Sequence, residues 1–184
     1  ELMGMMALGR SYNEAGRDLP DVIEKTITLE FPPDLKKHYE TIRDSYRAEL
    51  EDGVLNFTHF SQVMHTLRAI TGFYGKVETV CDLIEDSKSK GALVFVWYKS
   101  LAVDIAVALR RRGLDAEIVD GEIPIEERVE RAHKHRFIVA TISALSEGID
   151  LSRMDTVIFA EEHWPPGSAI QAMRRVRRDR QSRE

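Results

Sequence analysis

A chain of 184 residues with 43% hydrophobic content can bury one good core, roughly 70% of its unfolded surface by size scaling, so one compact domain with an appendage is expected. One cysteine, Cys81, excludes a disulfide framework and a four-cysteine zinc site, and no apolar run approaches the ~20 residues of a membrane span. The net charge of -5 is uneven: six arginines against two acids make residues 174–184 +4 and leave the rest at -9, which argues against a surface that coats nucleic acid and for a focused anion site.

In chain order, residues 1–20 show no clean period and carry Gly4, Gly9 and Gly16, so they read as a partly ordered lead-in. The apolar run at 2–8 is short, lacks a basic flank and reads as local structure, not a signal peptide. Residues 21–90 form a strand followed by a helical section. Ile23, Ile27, Leu29 and Phe31 alternate with polar residues, the pattern of a half-buried strand, and Pro32-Pro33 stops it. Leu35, Tyr39, Ile42, Tyr46 and Leu50 then share one helical stripe that ends near Gly53. A second helix over 58–70 carries Phe60, Val63, Met64, Leu67 and Ile70, and a third over 76–86 carries Val77, Val80, Cys81 and Ile84 as core. Residues 87–91 are a short polar turn.

From Gly91 to the end, strands and helices alternate. The sequence predicts a buried strand over 92–97, then a helix from Ser100, as N-cap, to Arg112 with Gly113 at C′. A strand over 117–119 follows, closed by Asp120-Gly121, and Pro124 starts a helix to about His133. The runs 137–140 and 156–160 lack polar alternation and read as buried parallel strands. The fold class is therefore α/β, a doubly wound parallel sheet preceded by a helical section.

The chemistry concentrates in the last third. The strand at 137–140 leads to Thr141, Ser143 and Glu147-Gly148-Ile149-Asp150, and the strand at 156–160 to Glu161-Glu162-His163-Trp164-Pro165-Pro166. Beyond the prolines, a helical register of about 100° per residue puts Gln171, Arg174, Arg175 and Arg178 on one face and Ala169, Met173 and Val176 on the other. Neighbouring arginines repel unless an anion faces them, although a solvated basic helix end is the plainer reading of the composition. Thr141, Ser143 and Lys99 stand at strand C-termini, where open α/β sheets place ligand contacts. Asp150 suits either a ribose contact or the cap of the next turn. Trp97 and Tyr98 read as core and rim aromatics. No P-loop is present: Gly75-Lys76 is followed by Val77, and Ile70 stands where the first glycine is needed. Glu161-Glu162-His163 reads as solvated acids at a strand end, and His133 with His135 is a weak metal signal, so no metal site is expected.

These motifs resemble the C-terminal half of superfamily-two helicase-like ATPases, and among them the Swi/Snf-type DNA translocases. Thr141, Gly148-Ile149-Asp150-Leu151, the strand at Val157-Ile158-Phe159 and Trp164-Pro165-Pro166 follow that family's motif five. Gln171, Arg175, Arg178 and Gln181 keep the spacing of its motif six. Arg177 replaces the usual His, Arg180 the usual Gly and Pro165 the usual Asn. Tyr39 and Leu67-Arg68 sit where the family joins its two lobes.

The resemblance implies a RecA-like helicase C-terminal lobe over 91–184, and a double-stranded DNA translocase whose ATP and Mg²⁺ are held mainly by a first lobe outside this chain. It implies Arg175 and Arg178 as arginine fingers, Gly148, Asp150 and Gln171 at the nucleotide, and Lys99, Thr141 and Ser143 on nucleic-acid phosphate. The partners are the first lobe and DNA, with no membrane and no obligate homo-oligomer, in an intracellular setting. By this reading the 184 residues do not hydrolyse ATP alone. The alternative is a non-catalytic nucleic-acid-binding or regulatory module that uses the arginine-rich end as a phosphate clamp.

Overall fold

The computed structural model describes residues 22–50, 53–145, 149–161 and 176. From residue 92 onward the expected alternation is present. Four strands, β3 (Ala92–Val96), β4 (Ala116–Val119), β5 (Phe137–Thr141) and β6 (Thr156–Phe159), form one parallel sheet in the order β4-β5-β3-β6. They are short runs rich in Val, Ile and Phe, which pack well on a pleated surface covered from both sides.

Successive side chains of these strands serve opposite faces. Val94, Val96, Phe137 and Val139 pack on helices α3 (Lys76–Asp86) and α4 (Lys99–Arg111), through Cys81, Ile84, Leu101, Ile105 and Leu109. Leu93, Phe95, Ile138 and Ala140 meet Ala132 of α5 (Ile125–Lys134), together with Ile142, Leu145, Leu151 and Met154 from the β5–β6 connection. The chain travels one way across the sheet through α4 and back through α5 and that connection. Connectors on opposite faces for opposite directions of travel give every crossover the same hand.

Helix ends follow local chemistry. Gly113 sits at φ 81°, a left-handed conformation open to glycine, just past the α4 C-cap at Arg112. The α4 N-cap is Tyr98, two residues ahead of the N-cap expected at Ser100, and it contributes no side-chain cap. Arg112 reaches back to Glu78, Asp82 and Glu85, tying the end of α4 to α3. Strand β6 departs from expectation: it is the edge of the sheet and its four residues are only half-buried, because β3 covers one side of the ladder and no described strand covers the other.

The front section differs more. Residues 22–32 form no strand, and Val22, Ile23 and Ile27 are exposed. Alternation needs a ladder partner to become a strand, and among the described residues none lies beside this segment. Helix α1 (Pro33–Ser45) stops well short of Gly53, because Tyr46 takes a left-handed conformation at φ 56°. The chain then forms an antiparallel hairpin, β1 (Arg47–Leu50) with β2 (Gly53–Asn56), pairing Arg47 with Asn56. Helix α2 (Phe60–Phe73) starts two residues later than expected, behind a capping box between His59 and Gln62, and its Phe60 is exposed. Ile42, Val63 and Leu67 make the small core that holds α1 on α2. No helix among the described residues is long and apolar enough to cross a membrane.

Polar staples close the N-terminal edge of the sheet. Asp155, just before β6, accepts from Ser89 Oγ at 2.5 Å and Lys90 N at 3.0 Å, just before β3. Arg136 Nε donates to Lys90 O at 2.7 Å, and Arg153 donates to the carbonyls of Ala132 and His135.

Phe95 is fully buried at the centre of the sheet and stacks on Phe159 at 5.3 Å between ring centroids. Phe95→Ala is expected to cost about 3–5 kcal/mol in urea unfolding; a loss under about 1 kcal/mol would contradict the burial described.

Candidate functional site at the C-terminal edge of the sheet

A parallel sheet delivers all its strand ends to one edge, and the segments that leave β3, β4, β5 and β6 carry most of the polar residues singled out above. Lys99 opens α4 directly after β3. Its ammonium lies 2.7 Å from Glu122 Oε2 and 3.0 Å from Asp120 Oδ2, both on the segment that leaves β4. The bonds from Glu122 and Asp120 raise the lysine pKa. Burial pushes the Asp120 carboxyl up, but Lys99 and the Glu122 N–H, which donates at 2.8 Å, outweigh it and hold the group below its usual range. The lysine expected to meet a phosphate is therefore already held between two carboxylates. Asp120 is largely buried, whereas the Glu122 side chain is 81% exposed. Exposed ion pairs are worth little, so the bond to Glu122 is the weaker of the two.

The end of β5 is fastened to the same place. Thr141 is its last residue, and Ser143 is exposed on the 3₁₀ turn Ile142–Leu145. Arg128 of α5 donates from Nε to Ile123 O at 2.5 Å, from Nη2 to Gly121 O at 3.0 Å and from Nη1 to Ala144 O at 3.1 Å. One guanidinium thus binds the loop that carries Asp120 and Glu122 to the turn that carries Ser143. Arginine suits this work because its planar donors point in fixed, divergent directions.

Asp150 makes a local turn. Its Oδ1 accepts from Ser152 N at 3.0 Å, capping the turn, while its carbonyl lies 3.3 Å from His133 Nε2. His135 Nδ1 lies 2.7 Å from Asp115 Oδ1, and this bond holds the Asp115 carboxyl below its usual range. Among the described residues no group of three His, Cys, Asp or Glu is placed to hold a metal ion. Gly148, Gln171, Arg175 and Arg178 lie outside the described residues. Val176 is helical and buried against the second face of the sheet, as the register expects for the side opposite Arg175 and Arg178.

Glu161 corrects the sequence reading. It is not a solvated acid but 4% exposed, and its Oε2 accepts from the backbone N–H groups of Trp97 at 2.7 Å and Tyr98 at 3.1 Å. Charged ends of apolar strands are usually wet, so nothing in the local sequence distinguishes Glu161. Arg128, Asp120 and Glu122 also escape sequence reading, because their partners come from other segments. The only signal available was their position one to three residues past a strand end or a helix start.

Comparison with known proteins bears on what this edge is for. Residues 75–180 match the family described as "Helicase conserved C-terminal domain". The chain is 34% identical over 108 residues, 55% of its length, to the "SWI/SNF-related matrix-associated actin-dependent regulator of chromatin subfamily A-like protein 1" of Xenopus laevis. It is 29% identical over 179 residues, 88% of its length, to the homolog of that protein from Caenorhabditis elegans. It spans 11% of the frog protein and 25% of the nematode one. A solved structure, "Crystal structure of the C-terminal part of Fun30 ATPase domain", shares the fold with a TM-score of 0.53 and 17% identity, over 82% of this chain and 58% of that one.

The Asp120–Lys99 pair has a pH signature. A carboxyl held below its unfolded value of about 3.9 contributes stability that is full above that value and is lost as pH falls through the folded pKa. The stability advantage of wild type over Asp120→Asn in urea unfolding is therefore expected to be constant between about pH 5 and 9 and to shrink below about pH 4. An advantage that persists unchanged in acid would mean Asp120 is not ionised against Lys99.

Proposed function

Because the chain belongs to the helicase conserved C-terminal domain family, as the C-terminal lobe of a Swi/Snf-type protein, we propose that it is the second motor lobe of an ATP-dependent double-stranded DNA translocase. In this reading a first lobe outside the chain holds ATP and Mg²⁺, whose hydrolysis supplies the free energy of movement. This lobe closes the cleft with Arg175 and Arg178 and grips one DNA strand with the sheet's C-terminal edge.

What carries the reading is the spacing Gln171, Arg175, Arg178 within the family match, with Val176 between the two arginines seated in the core. Permanently charged, two-pronged guanidinium groups a helical turn apart suit the γ-phosphate, where such a group is worth roughly 10³–10⁵ in rate. Gly148 and Gln171 fit the nucleotide side of the same cleft. Asp150 acts there by shaping its turn. At the other end of the edge, Thr141, Ser143 and Lys99 present hydroxyls and an ammonium to phosphate oxygens, with Glu122 as the group that steps aside.

The test uses the full-length protein that contains this chain. Arg178→Ala is expected to reduce DNA-stimulated ATP hydrolysis about a thousandfold or more while ATP still binds. Absence of hydrolysis in the wild type, or no effect of the substitution, would favour the alternative of a non-catalytic phosphate clamp. A second expectation concerns Lys99. Glu122→Gln should lower the DNA concentration for half-maximal ATPase by roughly two- to fivefold at low salt, with the gain fading as salt rises. A fall in affinity instead would show that Glu122 presents Lys99 to DNA and does not screen it.

A further inference from the structure

Glu161 lies at the meeting point of the helical section and the DNA-facing edge, and it is only half accounted for. Its Oε2 holds the Trp97 and Tyr98 amides. Its Oε1 is buried and has no hydrogen-bond partner among the described residues. That oxygen points at α2: a Cβ on Gly72 would stand 2.7 Å from it. With Oε2 fixed by two amides, the carboxylate cannot swing away without releasing them, so α2 and Glu161 approach this closely only because residue 72 has no side chain.

The dipeptide that Glu161 holds is itself a bridge. Tyr98 Oη donates to His65 O of α2 at 3.3 Å, and the Arg68 guanidinium of α2 lies 4.5 Å from the Trp97 ring centroid. Tyr98 is also the N-cap of α4, and its carbonyl accepts from Ala102 N at 3.2 Å, so the Trp97–Tyr98 backbone sets where Lys99 begins. Lys76, at the start of α3, feels the Glu161 charge as well.

We propose that Glu161 is a positioning residue which, with Gly72 as its required partner, locks the helical section to the strand-to-helix turn that presents Lys99 to DNA. The DNA clause of this inference rests on the translocase reading; the geometry of the joint does not. Movement of α2 reaches Lys99 through the Trp97–Tyr98 turn, which α2 touches at both side chains and which Glu161 holds by its two amides.

The experiment compares four variants of the full-length protein with wild type: Glu161→Ala, Glu161→Gln, Gly72→Ala, and Gly72→Ala combined with Glu161→Ala. Amide hydrogen exchange, measured without DNA, reads the joint. Exchange at Trp97 and Tyr98 is expected to quicken about tenfold or more in Glu161→Ala, as two hydrogen bonds to a charged acceptor are lost. It should stay near wild type in Glu161→Gln, whose amide oxygen still accepts both. Gly72→Ala should quicken it when Glu161 is present and add nothing when Glu161 is alanine. Unchanged exchange in Glu161→Ala, or fully additive effects of the two alanines, overturns the proposal. Should Glu161→Ala fail to fold, Glu161→Gln and Gly72→Ala still decide: slow exchange in the first with fast exchange in the second supports the joint, and any other pairing overturns it. DNA-stimulated ATPase reads the consequence. Glu161→Ala should raise the half-saturating DNA concentration several-fold with the rate at saturating DNA within about twofold, and Glu161→Gln should restore it. An unchanged half-saturation overturns the link to DNA. A wild type that DNA does not stimulate overturns the proposed function and the DNA clause with it, while hydrogen exchange still decides the joint.

Discussion

Everything in this lobe hangs on β3. Both of its edges are paired, to β5 and β6, and every one of its side chains is buried on one face or the other. A strand in that position has no freedom of register: a slip of one residue would exchange Val94 and Val96 for Leu93 and Phe95 and present each core with the wrong shapes. Strands β5 and β6 inherit their registers from it. So does the level at which each strand ends, which places Lys99, Thr141 and Glu161 along one line of the molecule.

That line separates two kinds of polar chemistry. At the N-terminal edge, Asp155, Arg136 and Arg153 spend their hydrogen bonds on backbone and on Ser89, and they act as fasteners. At the C-terminal edge, the groups are held but still accessible. Lys99 has one buried and one exposed acid, and Ser143 stands exposed on a short turn pinned from beneath by Arg128. Among the described residues, an edge built this way seats its cation between acids instead of leaving it bare.

How much of this is legible in the sequence depends on whether the deciding partner is local. From Ala92 to Phe159 the elements fall where they are read, apart from the α4 N-cap and the half-buried β6, because unbroken apolar strands, amphipathic helices and a glycine at the end of α4 carry their own signals. The front section reads poorly for the opposite reason. The alternation of Ile23 to Phe31 has no described neighbour to pair with, and the apolar stripe through Tyr46 and Leu50 serves a helix or a hairpin equally until Tyr46 turns left-handed. At the site, Lys99, Thr141 and Ser143 are legible from their places at strand ends. The residues that hold them, Asp120, Glu122, Arg128 and Glu161, are not, since their roles exist only after segments far apart in the chain have met.

Distance along the chain has a temporal side. The bond from Trp97 to Glu161 joins residues 64 apart, and β6 docks on β3 only after α4, β4, α5 and β5 have been laid down. Long-range parallel pairings form slowly, because the intervening chain must be ordered before the contact repays it. During synthesis, β3 therefore waits with both edges open, the β6 edge for longer, and the amides of Trp97 and Tyr98 wait with it. In a nascent chain this is the stretch most exposed to wrong pairing with another strand and most in need of shelter.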